Sequence, residues 1–251
     1  MCSVGGAQFV FSEEVVQVTQ FSYATMFSPV DLVKRMGVGG RLVPFFKCVC
    51  VYFVALGAGG AGAEAGASPG AVAAKCAPVL CLLLVVLLHL RALPYHKGGY
   101  ARRVGAGLAL SALGDALLLW PQHFVAGMAA FGAAHVAYIG AFGLSRRAPA
   151  LGGALYAATA LFLCGLSPPP GLRALLPAYG ALLATMAWRA LLCGVKAGAG
   201  ALLFLLSDAI LGYSLFGGPV PHKQVLVMST YYLGQLGIAL SALDAGAAAS
   251  A

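Results

Sequence analysis

An all-α membrane protein, a bundle of eight transmembrane helices, is the fold this sequence predicts. Three observations predict it. First, 61% of the 251 residues are hydrophobic and only 9% are charged, with a mean hydropathy of +0.91; soluble domains carry roughly 25% charged residues. Second, the apolar residues fall into eight runs close to the length of a membrane span, about 20 residues at about 1.5 Å each. Third, the basic residues collect on alternate linkers between those runs, as the positive-inside rule requires.

The first run covers 41–56 and is short, with Lys47 inside it. The second, 71–90, carries Lys75 and Pro78. The third, 100–120, contains Asp115, and the fourth, 122–142, contains His135 and Tyr138. The fifth is 151–166 and the sixth 172–193, with Arg189 near its end, read here as an interfacial anchor. The seventh, 197–216, contains Asp208, and the eighth, 224–243, contains Tyr231, Tyr232 and Gln235. The linkers read as turns: a Gly/Ala loop over 57–70, Ser-Pro-Pro-Pro-Gly over 167–171 and Gly-Gly-Pro-Val-Pro over 217–221. Residues 1–40 are expected to form a partly disordered cytosolic tail, 41–243 one membrane domain, and 244–251 a flexible cytosolic tail.

Counting linkers alternately, one side holds Lys34, Arg35, Arg41, Arg91, Lys97, Arg102, Arg103, Arg146, Arg147 and Lys196, ten in all. The other holds Arg173 and Lys223. That asymmetry places both termini in the cytosol and favours an even number of spans. It also accounts for the net charge of +8 without nucleic acid, since no basic stretch is interleaved with exposed aromatics. The seven cysteines show neither metal nor thioredoxin spacing, and the first forty residues have no signal-peptide pattern.

Function is concentrated in two short stretches. Ser111-Ala-Leu-Gly-Asp115 and Leu205-Leu-Ser207-Asp208 each place a carboxyl group deep in an apolar run. A charge at membrane depth is costly, and an ionisable residue there is a functional candidate by default. Ser111 and Asp115 share a helix face, as do His135 with Tyr138 and Tyr231 with Gln235. Measured from the lumenal ends of their runs, Asp115, Asp208, Lys75 and Tyr231 lie five, eight, four and seven residues deep, within one or two turns of one level. One polar pocket in the lumenal half of the bilayer is therefore expected. Two carboxyl groups in low dielectric share a proton, which suits paired acid and base catalysis. No Ser-His-Asp order, nucleophile elbow or metal-binding histidine pattern is present. The third and fourth runs echo the seventh and eighth, as in a parallel internal repeat.

The pattern S-A-L-G-D-A-L-L-L-W-P followed by F-x-x-G-M-A-A-F-x-x-A-H-x-x-Y, with L-F-L-L-S-D-A-I-L and V-M-S-T-Y-Y-L-G-Q, resembles the lysoplasmalogenase (YhhN-like) family of membrane proteins. Arg41-Leu-Val-Pro-Phe-Phe-Lys47 resembles its vertebrate members, and the likeness runs from about residue 28 to 243. It implies eight spans in the endoplasmic reticulum membrane and hydrolysis of the vinyl ether bond of lysoplasmalogens, releasing a fatty aldehyde and glycerophosphoethanolamine or glycerophosphocholine. The family's functional aspartates map onto Asp115 and Asp208, the two found from the residues. Lys75, Ser111, His135, Tyr138, Ser207, Tyr231 and Gln235 are expected around them. Neither cofactor nor metal is expected. The expected partners are the bilayer and a lysophospholipid, with a homodimer left open. The competing readings are a proton-coupled or lipid transporter using the same pair, and a scaffold whose aspartates only join helices.

Overall fold

A computed structural model describes residues 38–54, 68–145 and 148–247. Residues 1–37 and 55–67, which hold most of the expected tail (1–40) and Gly/Ala loop (57–70), together with Arg146, Arg147 and residues 248–251, lie outside the described residues. The chain divides into two units, Met1–Val43 and Pro44–Ala251; residues 38–43 of the first are helical, and the second holds everything that follows.

Every described element is helical. The helices are α1 (Val38–Tyr52), α2 (Pro69–Ala92), α3 (Gly99–Leu117), α4 (Phe124–Phe142), α5 (Pro149–Cys164), α6 (Leu175–Cys193), α7 (Val195–Phe216) and α8 (Lys223–Ala247). Single 3₁₀ turns at Tyr95–Lys97, Pro121–His123 and Pro170–Leu172 join α2 to α3, α3 to α4 and α5 to α6. Five segments are long and apolar enough to cross a membrane: Pro69–Ala92, Pro121–Phe142, Pro170–Cys193, Val195–Phe216 and Lys223–Asp244. The chain is thus a multi-pass membrane protein.

The boundaries have local causes. Ser68 caps α2 by accepting from the Ala71 N–H at 3.2 Å, with Pro69 in the first turn. α3 stops at Leu117, three residues before the end of its apolar run. Pro121 is the reason: the residue before a proline is driven to extended backbone, and Trp120 sits at φ −108°, ψ 118°. Asp115 therefore lies in the last turn of its helix. α6 and α7 are separated by Gly194 alone, at φ 158°.

Six helices close a ring in the order α2, α3, α4, α6, α7, α8, with α8 returning to α2 and also touching α3. α5 packs on α6. The closest crossing is α7 against α8. A Cβ built at Gly200 would lie 2.7 Å from the Gly234 carbonyl and the Ile238 nitrogen, and one at Gly234 2.9 Å from the Gly200 carbonyl. Small residues at such a crossing let two backbones touch, which is how helices associate in lipid. Gly107 likewise makes room for the Tyr138 ring and Gly114 for Phe131. The core is aromatic: Phe131, Phe204 and Tyr231 meet edge to face with centroids 5.4–6.0 Å apart.

Arg189 corrects its sequence reading. It is only 3% exposed, and its Nε donates to the Gly143 carbonyl at 2.7 Å. It ties α6 to the residue that ends α4 instead of reaching for the interface.

Candidate active site

Asp115 and Asp208 line one cavity of about 600 Å³. α3 delivers the first from its last turn; α7 delivers the second from its middle. Lys75 of α2, Ser207 of α7 and Tyr231 of α8 line the same cavity. Most lining residues belong to the end of the bundle where α3, α5 and α7 finish and α2, α4, α6 and α8 begin, with Leu155, Leu183 and Leu205 reaching to mid-helix. The level estimated from residue counts thus corresponds to one end of a real chamber.

Around Asp115 the contacts are tight. The Tyr231 hydroxyl donates to its Oδ2 at 2.6 Å, and Lys75 Nζ stands 4.0 Å from its Oδ1. Asp115 is 2% exposed. The Lys75 backbone is itself fixed, because its carbonyl accepts from the Tyr232 hydroxyl at 2.8 Å. A buried carboxylate needs such partners, since an isolated charge in low dielectric is strongly disfavoured.

Asp208 has a different environment. The Tyr179 hydroxyl donates to its Oδ2 at 2.5 Å. Behind that hydroxyl, 3.1 Å away, sits Nε2 of the fully buried His135. Neither Lys nor Arg of the described residues is within ion-pair distance of Asp208. Its side chain is half-buried, open to the cavity. Ser207 donates to the Val227 carbonyl at 2.9 Å, pinning α7 to α8.

The remaining expected residues stand behind the chamber wall. Tyr138 donates to Gln235 Oε1 at 2.7 Å, and Ser111, Tyr138 and Gln235 are all fully buried. None of them lines the cavity, and neither does His135. They form a polar layer beneath it, with Phe204 edge-on to His135 at 4.9 Å and to Tyr231 at 5.4 Å.

Sequence reasoning missed Tyr179, and a usable signal was there. Tyr179 lies seven residues into the run that begins at 172, the same depth as Tyr231 in its own run. Tyr52 and Gln224 were also missed. Both line the cavity, and the Gln224 Nε2 donates to the Tyr52 hydroxyl at 2.6 Å.

Apart from Thr159 of α5 and Lys223 at the start of α8, the rest of the chamber is apolar. One face of α5 supplies Leu155, Ala158, Phe162 and Leu163, and α6 supplies Leu176 and Leu183. Together the walls make an amphipathic slot: carboxyl, phenol and ammonium groups at α2, α3, α7 and α8, and an oily recess between α5, α6 and α7. Its volume is in the range of small-molecule sites.

Residues 70–242 match the model of the YhhN family. Lysoplasmalogenase TMEM86B of Homo sapiens is 41% identical over 221 residues, covering 84% of this chain and 89% of that protein. Lysoplasmalogenase TMEM86B of Sus scrofa is 43% identical over 211 residues, covering 83% and 88%. Lysoplasmalogenase TMEM86A of Homo sapiens is 38% identical over 237 residues, covering 87% and 94%. No solved structure matches. A family match over most of the bundle, with identity near two fifths to full-length relatives, leaves one conclusion: the chain belongs to the YhhN family.

Proposed function

We propose that this protein is a lysoplasmalogenase, hydrolysing the vinyl ether bond of alkenyl-glycerophosphoethanolamine or alkenyl-glycerophosphocholine to a fatty aldehyde and the glycerophospho-alcohol. The observation that carries the reading is the pair of carboxyl groups on one amphipathic cavity. The names of the relatives support the reaction class.

Vinyl ether hydrolysis needs three things. A carboxylic acid must protonate the β-carbon, giving an oxocarbenium ion. A base must draw a proton from the attacking water. Negative charge must stand near the cation. Glycosidases meet a related demand with two carboxyl groups. Asp115 and Asp208 serve here as the pair, with Lys75, Tyr231 and Ser207 around them and Ser111, His135, Tyr138 and Gln235 as the layer that holds them. The single hydrocarbon chain lies in the recess of α5, α6 and α7, and the head group stays at the polar mouth.

In this reading all eight helices span the membrane of the endoplasmic reticulum, the shorter α1 and α5 included, with both termini cytosolic. The two aspartate-bearing helices, each followed by a partner helix, form a parallel repeat. Protease protection of terminal tags in sealed microsomes tests the topology; protection of either terminus overturns it. Purified protein given alkenyl-glycerophosphoethanolamine in detergent tests the reaction. Stoichiometric aldehyde, labelled from heavy-oxygen water with solvent exchange controlled, is expected. Lipid or proton flux in vesicles without aldehyde would replace the enzyme with a transporter.

A further inference from the structure

The two carboxyl groups are held unequally. A cation faces Asp115, and neither Lys nor Arg of the described residues stands within ion-pair distance of Asp208. When two acids share one low-dielectric chamber and a single negative charge, the charge settles beside the cation and the proton on the other acid. Exposure points the same way. Both line the cavity, but Asp115 is 2% exposed while Asp208 is half-buried, so an incoming carbon atom meets Asp208 more readily.

Proton counting along the Tyr179 chain adds direction. Tyr179 has one hydroxyl proton and donates it to Asp208 Oδ2. Its oxygen is then free only to accept, so His135 Nε2 is the donor of the 3.1 Å contact. His135 Nδ1 has no hydrogen-bond partner and the ring is fully buried. A proton on Nδ1 would be an unpaired buried donor, so the ring is neutral with its proton on Nε2. The chain runs one way, from His135 through Tyr179 to Oδ2. With Oδ2 committed as an acceptor, the carboxyl proton of Asp208 sits on Oδ1.

We infer that Asp208 is the general acid and Asp115 the general base of the hydrolysis proposed above, on which this assignment rests, and that Tyr179, backed by His135, is the positioning residue that presents the Asp208 proton to the substrate. The steps balance. Asp208 gives its proton to the β-carbon and becomes a carboxylate. Water adds to the oxocarbenium carbon while Asp115 takes one of its protons. In the collapse of the hemiacetal, the Asp208 carboxylate takes the hydroxyl proton. Asp115 returns its own to the departing glycerol oxygen, and both residues regain their starting forms.

The test is the pH dependence of kcat/KM, whose alkaline limb reports the acid and whose acidic limb reports the base. Other groups face the pair. Asp115 has Tyr231 and Tyr232 of α8, Cys76 of α2, Tyr138 of α4 and Tyr52 of α1 within electrostatic reach. Asp208 has Tyr179 of α6, with His135 of α4 behind it, and Asp115 itself; Lys223 of α8 lines the same cavity beyond ion-pair distance of both and is left in place by both variants. The two variants therefore alter one neighbour each. Lys75→Met removes the cation beside the base. The acidic limb is expected to rise by about one pH unit or more, with the alkaline limb unmoved. Tyr179→Phe removes a donor from the acid. The alkaline limb is expected to rise by about one to two units, from the roughly 1.5–3 kcal/mol of a hydrogen bond to a charged group, while the plateau falls. Opposite limbs responding, or Tyr179→Phe moving neither, overturns the assignment. If Tyr179→Phe does not fold, Lys75→Met read against Lys75→Arg, which keeps the cation, decides alone. A wild-type protein that releases no aldehyde at any pH instead overturns the underlying reading.

Discussion

Asp115 and Asp208 invite comparison because each receives one short hydrogen bond from a tyrosine on another helix. Tyr231 serves the first at 2.6 Å and Tyr179 the second at 2.5 Å. What stands behind differs. At Asp115 the second partner is an ammonium group, Lys75. At Asp208 it is an imidazole reached through the phenol. On the assignment inferred above, the first station holds charge and the second holds a proton in a fixed direction. On that reading, two blocks alike in only a few residues around their aspartates acquire separate chemical roles from neighbours supplied by α2 on one side and α4 with α6 on the other.

The comparison breaks most visibly at the carboxyl groups themselves. Asp115→Asn and Asp208→Asn are each expected to lower turnover by about 10² to 10⁴, the usual worth of a general acid or base. The double variant should be little worse than the worse single, because the two act as a unit. Aldehyde release from detergent-purified protein with an unchanged elution profile measures this. A well-folded Asp208→Asn protein with near-native turnover would remove the pair from the mechanism.

The tyrosines come next. Tyr231→Phe should cost about tenfold or more in kcat, since a hydrogen bond to a charged group is worth roughly 1.5–3 kcal/mol and each 1.4 kcal/mol is a factor of ten. A loss confined to KM would place Tyr231 in substrate binding instead. The α7–α8 crossing sharpens the comparison structurally, because α7 carries Asp208 and α8 carries the tyrosine of Asp115. Gly200→Val forces a side chain into backbone 2.7 Å away. About 1–3 kcal/mol of stability should be lost, read as a lower unfolding midpoint in detergent, with turnover falling beyond the loss of folded protein. The smallest effect is expected outside both stations. The Lys196–Asp244 ion pair is 2.7 Å long, but its side chains are 50% and 59% exposed. Lys196→Ala should therefore change stability by under about 0.5 kcal/mol.

Much of this was legible in the sequence. The eight apolar runs correspond to the eight described helices, and five segments are long and apolar enough to cross a membrane, where backbone groups must be satisfied within the helix. The ends were less legible. α3 falls three residues short of its run because of Pro121. Both aspartates and Lys75 were legible because charge in a hydrophobic run is rare enough to stand out. Tyr179 was not, since a phenol in a membrane helix is an ordinary packing residue until its depth is compared with the others. Arg189 was misread because its partner is a main-chain carbonyl on another helix, and no side-chain pattern announces a carbonyl.

One connection has a mechanical meaning. Gly194 alone joins α6, which carries Tyr179, to α7, which carries Asp208. The two helices behave like a pair of tweezers, riveted at the end remote from the chamber. From Val195 to Asp208 the lever arm is about 20 Å at 1.5 Å per residue. A swing of about 3° at the rivet therefore moves the tip by about 1 Å, enough to break a contact of 2.5 Å. Displacements of that size can cost on the order of a hundredfold in rate. A substitution at Gly194, remote from the chamber, is therefore expected to lower turnover through leverage.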